Sequence, residues 1–322
     1  MTPVASLDPP GLEDVLAARE RLRPHLPSTE LCSYDGLSRL VGAELWIKHE
    51  NRLPTGAFKV RGGLNLVSRL DESDCERGLV AASTGNHGQS IAYAARLFGA
   101  RAVICVPEGA NPGKVAAMRD LGAEVVFHGR DFDEAREECE RIAAQHGYRY
   151  VHSGDEPDLI AGVATATVEL LEEQPEIDTV IVPIGGGSGA AGACIAGKAI
   201  RPGLEVIGVQ SAAAPAAYRS WLEGRLVEDR METFAEGLAT RVGFELPQRI
   251  LREQLDSFVL VADDAIRAAV PLMIEATREL VEAAGAAPLA AALELRPRLA
   301  GRRVALVCSG GNITLAQLKA LL

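Results

Sequence analysis

The chain has 322 residues, 48% of them hydrophobic, enough to bury one large core or two moderate ones. Acidic residues outnumber basic ones 44 to 33, giving a formal charge of −11, which argues against a broad face for DNA or RNA. No apolar run approaches the roughly 20 residues of a membrane span, and the six cysteines form no CxxC pair, so small molecules or copies of the chain are the expected partners, in a reducing compartment.

The N-terminal MTPVASLDPPGLEDV has no basic segment leading into an apolar stretch, so no secretory leader is expected and the predicted location is cytoplasmic. "PTGAFKVRG", residues 54–62, sets Lys59 between Phe58 and Val60. Such a lysine has two readings. It is a helix-start residue with a buried stem and a solvated amine, or its amine is desolvated and free to condense with a carbonyl. A strand is predicted over 78–83, followed by "ASTGNHGQS" at 82–90. There Ser83, Thr84 and Asn86, with the amides around Gly85, have the chemistry to hold a carboxylate at a helix N-terminus. His87 fits a structural hydrogen-bonding role better than a catalytic one.

Further strands are predicted over 101–107, 123–129, 179–185, 205–210, 258–262 and 304–310. They are nearly continuous Val, Ile, Leu and Ala, the pattern of parallel strands covered on both faces. Helix-like segments between them close at Gly99, Gly122 and Gly147. "IVPIGGGSGAAGACIAG", 181–197, runs from a strand through Gly185, Gly186, Gly187, Ser188 and Gly189 into an Ala/Gly-rich helix. This is an anion cradle or a tight strand–helix turn; without the P-loop Lys-Ser/Thr it does not support ATP or GTP. "VCSGGN", 307–312, ends the last strand with Ser309, an uncharged group able to face a ring nitrogen or to cap a turn.

The alternation of strand and helix predicts an α/β fold of two doubly wound domains. Residues 53–152 form one self-contained cluster of such units and a second begins after Gly154, with the first fifty residues packed on the outside.

Taken together and in order, "TGAFKVRGGLN", "STGNHGQSIAYAA", "PIGGGSGAAG", "AEGLA", "EAAGAAPLAA" and "CSGGN" resemble the fold-type II pyridoxal-phosphate enzymes, in the threonine/serine dehydratase and serine racemase branch. The resemblance spans nearly the whole chain and implies pyridoxal 5'-phosphate in a cleft between a small domain, 53–152, and a large one, 1–52 with 153–322. It implies that Lys59 is the Schiff-base lysine, Phe58 packs on the cofactor ring, and Asn86 bonds the ring oxygen. The amides of Gly185, Gly186, Gly187, Ser188 and Gly189 hold the phosphate, and Ser309 meets the ring nitrogen. Gly237 and Glu282 lie beside the cofactor, while Ser83, Thr84, Gly85 and His87 surround the substrate carboxylate. The implied activity is β-elimination of the hydroxyl from threonine, serine or a similar small hydroxy-amino acid, the released aminoacrylate hydrolysing to a 2-oxo acid plus ammonia. A homodimer or homotetramer is the family's expectation.

Some positions depart from the family pattern. Thr84 stands where racemases of this branch place a serine, so a catalytic hydroxyl and amino-acid racemisation remain an alternative. Gln210 and Ala216 replace the carboxylates of metal-dependent relatives, and no metal is expected. Glu236 replaces the more common aspartate, and STEL (28–31) stands where TPL is usual. No regulatory domain is expected after "CSGGN". A dehydratase of hydroxyectoine breakdown and a non-catalytic phosphate-ligand module are the other readings weighed.

Overall fold

In the computed structural model, which describes residues 7–321, ten strands form two sheets. The strands are β1 (Leu31–Ser33), β2 (Glu44–His49), β3 (Leu79–Ala82), β4 (Ala102–Val106), β5 (Glu124–Phe127), β6 (Arg149–Tyr150), β7 (Thr179–Pro183), β8 (Glu205–Ser211), β9 (Ser257–Val261) and β10 (Arg303–Cys308). The larger sheet has the order β1-β2-β10-β7-β8-β9 and the smaller β5-β4-β3-β6. Only β1 and β2 pair antiparallel; the other strand pairings are parallel. The first six residues of the N-terminal reading lie outside the described residues.

Alternate residues of each continuous apolar run feed opposite cores. Val180 and Val182 of β7 join Val206 and Ala305 on one face, while Ile181, Ile207, Val304 and Leu306 pack on the other. The smaller sheet repeats this, with Leu79, Ala81 and Ile104 opposite Val80, Val103 and Cys105. A strand buried on both faces has no polar side to alternate with, and each such side chain contributes roughly 1.5–3 kcal/mol.

The helices between strands carry local start and stop signals. Asn111 and Asp131 accept hydrogen bonds from the first-turn amides of Pro112–Asp120 and Phe132–His146. Asn86–Phe98 and Phe132–His146 each end on a glycine at φ 71°, Gly99 and Gly147.

Each sheet has one place where chain order reverses. In the larger it lies between β7 and β10, and in the smaller between β3 and β6. Ligands of open α/β sheets sit outside the carboxyl ends of the strands at such a point. Here Ser83 and Thr84 after β3, Ser153 after β6, Gly185–Gly189 after β7 and Ser309 after β10 all line one cavity.

Candidate active site

The cavity spans about 830 Å³, its solvent-open mouth included. Lys59 is the first residue of the helix Lys59–Val67. The turn before it is pinned to the end of β10: the Phe58 amide donates to the Ser309 carbonyl at 3.0 Å, and Ala57 bridges to Gly310. The Lys59 amine is turned inward. Nζ donates to the Ser153 carbonyl at 3.0 Å and the Ser188 hydroxyl at 2.8 Å, and lies 5.4 Å from the Phe58 ring centre. Burial with no carboxylate beside it pulls its pKa down to about 8 from 10.5.

The glycine loop is crowded rather than merely flexible. A Cβ on Gly185 would overlap the Gly237 carbonyl, and one on Gly186 would overlap the Phe244 ring. On Gly189 it would stand 3.0 Å from the Phe58 ring. Gly187 takes φ 94°, open to few residues besides glycine, and turns the chain into the helix Ser188–Ile200. The first amides of that helix lack intrahelical acceptors and carry its positive end.

Across the cavity, Ser83 Oγ accepts from the Gly85 amide at 2.9 Å and the Gly88 amide at 2.8 Å, fixing the start of the helix Asn86–Phe98. Ser83, Thr84, Asn86 and His87 line the cavity. Gly85 stays bare for another reason: a Cβ there would strike the Lys114 side chain. Asn86 Nδ2 donates to Glu282 Oε1 at 2.6 Å, and its Oδ1 accepts from Asn312 Nδ2 at 2.9 Å. Asn312 also donates to the Thr55 carbonyl at 2.8 Å, so it ties Asn86 to the Lys59 turn. His87 is buried, with Nε2 3.4 Å from the Val151 carbonyl. Burial first, and the Lys59 charge second, lower its pKa to about 3, so the ring is neutral.

Lys114, Ser153 and Asn312 were missed by sequence reasoning. Lys114 Nζ lies 2.7 Å from Glu236 Oε2 and 3.4 Å from Glu282 Oε2, all three lining the cavity. Burial pushes its pKa down, but the two carboxylates more than reverse this, and it ends above that of an ordinary lysine. The other Glu236 oxygen accepts from Gln317 Nε2 at 2.8 Å. "NPGKV" carries the same signal as "AFKVR", a lysine among small and apolar residues. Helix periodicity accounted for it, so it was passed over.

A family model described as pyridoxal-phosphate dependent enzyme matches residues 22–310. The chain belongs to this family. It is 38% identical over 305 residues to an L-threonine ammonia-lyase of Thermotoga maritima, covering 94% of the chain and 75% of that protein. It is 34% identical to an L-threo-3-hydroxyaspartate ammonia-lyase of Saccharomyces cerevisiae, covering 97% and 96%. The crystal structure of a serine racemase from Dictyostelium discoideum superposes with a TM-score of 0.88 at 32% identity, covering 95% and 99%.

Members of the pyridoxal-phosphate dependent family need a free amine for the cofactor aldehyde and a cradle for its phosphate. This chain offers both in one cavity. The Lys59 amine has its pKa lowered by burial, and the glycine loop keeps its backbone bare where any side chain would fill the space.

Proposed function

We propose that this protein is a pyridoxal-phosphate dependent ammonia-lyase that converts threonine, serine or a similar small hydroxy-amino acid to a 2-oxo acid and ammonia. The observation that carries the reading is the Lys59 amine, 2.8 Å from Ser188 at the end of the glycine loop and without a carboxylate partner. When bound, the cofactor supplies an electron sink for the carbon that loses its proton.

The chain's own residues do the rest. Lys59 would hold the cofactor through its aldehyde, and its amine, when neutral and free, would take the α-proton of the substrate. The amides of Gly185–Gly189 and the helix start would hold the phosphate, Phe58 would pack against the ring, and Asn86, steadied by Asn312, would serve the ring oxygen. Ser309 serves the ring nitrogen without charge, with Gly237 and Glu282 beside it. Ser83, Thr84, Gly85 and His87 form the wall for the substrate carboxylate. For threonine the products are 2-oxobutanoate and ammonia, and for serine pyruvate and ammonia.

Residues 53–152 serve as the smaller domain and 1–52 with 153–322 as the larger, with the cofactor cleft between them. The protein acts in the cytoplasm as a homodimer or homotetramer. A second reading, racemisation, is favoured by the Thr84 hydroxyl in the same cavity. Incubation with L-threonine, L-serine and 3-hydroxyaspartate, followed by oxo-acid assay and chiral analysis, separates the two. Oxo acid outpacing D-serine supports the lyase, and no oxo acid from threonine, serine or 3-hydroxyaspartate refutes it. In Lys59→Ala the rate falls at least about 100-fold.

A further inference from the structure

We infer that Lys114, Glu236 and Glu282 set the cleft against substrates with an anionic side chain, so that the hydroxy-amino acid it takes carries an uncharged β-substituent. The inference rests on the lyase reading and narrows its substrate class.

Four charged side chains line the cavity: Lys59, Lys114, Glu236 and Glu282. Lys59 is reserved for the cofactor, and His87 is neutral. What remains is one ammonium against two carboxylates, a net negative charge. That ammonium already contacts both of its partners, at 2.7 and 3.4 Å. Neither carboxylate is free to swing away. Glu236 is tied through Gln317 to the C-terminal helix Leu315–Leu321, and Glu282 is held by Asn86. Glu236 spans from Lys114 to Gln317.

A β-carboxylate entering this cleft finds a cation already paired and a field of its own sign. It must leave water without a new partner, which costs more than the attraction that remains. The methyl of threonine or the hydrogen of serine meets no such penalty, and Phe132, Ala239 and Phe244 supply apolar wall. Discrimination of this kind is a difference between two substrates, set by repulsion of the wrong one.

L-Threonine and L-threo-3-hydroxyaspartate differ by methyl against carboxylate and suit the test. With the holoenzyme, kcat/KM is expected to favour threonine by about 100-fold or more. Glu236→Gln removes one negative charge and leaves Lys114 partly unpaired, so the ratio narrows by about tenfold or more. Glu236→Asp keeps the charge and holds the ratio near that of the parent. A purely structural role for Glu236 would instead lower both substrates together.

A parent enzyme that uses the two substrates equally, or a ratio unmoved by Glu236→Gln, overturns the inference while leaving the lyase intact. Turnover of neither substrate removes the lyase reading and the inference with it. A second readout needs no variant: as competitive inhibitors of the parent enzyme, L-aspartate is expected to bind about tenfold more weakly than L-2-aminobutyrate. Equal or tighter aspartate binding also overturns the inference.

Discussion

Two lysines line one cavity and are tuned in opposite directions. Lys59 hydrogen-bonds a carbonyl and a hydroxyl, whereas Lys114 contacts two carboxylates. The first is therefore the amine that sheds its proton near neutrality, and the second stays an ammonium. This has a consequence for cofactor-free protein. The folded pKa of about 8 lies below the unfolded value near 10.5, so the unfolded chain binds the extra proton between them and stability rises with pH across that window. Below pH 8 the full penalty applies. Lys59→Met is expected to stabilise the cofactor-free protein by about 3 kcal/mol at pH 7, a gain that disappears by pH 11. Denaturant unfolding at the two pH values checks it. His87 has the same sign in a lower window. Its folded pKa of about 3 lies below the unfolded 6.5, so stability is lost as pH falls from 6.5 toward 3. His87→Gln should flatten that acid limb in unfolding titrations.

At this scale the sequence made legible what local chemistry decides: a lysine in apolar company and a run of glycines. It concealed what distant contacts decide. Lys114 meets partners 122 and 168 residues away, and Ser153 contributes a backbone carbonyl that any residue type offers.

Among the elements, the helix that begins at Lys59 is held by a buried ion network. Arg61 donates to both oxygens of Glu50 at 2.7 and 2.9 Å and to both of Glu169 at 2.6 and 2.7 Å. Lys48 at the end of β2 donates to Glu169 at 2.9 Å and to the Thr29 carbonyl at 2.7 Å. The network locks the Lys59 helix to the larger sheet and to the helix Pro157–Glu173. Glu169→Gln leaves buried Lys48 with no carboxylate and Arg61 with Glu50 alone, and is expected to cost about 3–5 kcal/mol, read as a lowered urea midpoint with an unchanged m value.

The same network explains a gap in the sequence reading. All seven strands expected from continuous apolar runs are present, but β1, β2 and β6 were not foreseen. β2, ELWIKH, buries Lys48 and His49 completely, so its hydrophobic signal is broken where its polar residues find partners. β1 and β6 have three and two residues, too short for any period to show.

Over the whole molecule, the cavity lies where the two sheets meet, and polar bridges cross that junction. Lys114 with Glu236 and Asn111 with Gln317 span one side, and Arg241 with Asp131 at 2.7 Å spans another. Asn86, bonded to both Glu282 and Asn312, joins them beside the cavity. The α/β class and the grouping of strands followed from composition and periodicity. The bridges did not, because each needs both sheets in place.

The carbonyl cofactor has to choose between those two lysines, and borohydride reduction of the holoenzyme followed by digestion and mass spectrometry reads that choice directly. The cofactor mass is expected on the peptide containing Lys59, with Lys114 unmodified. Label on Lys114, or cofactor retained by the protein while Lys59 remains unmodified, would contradict it.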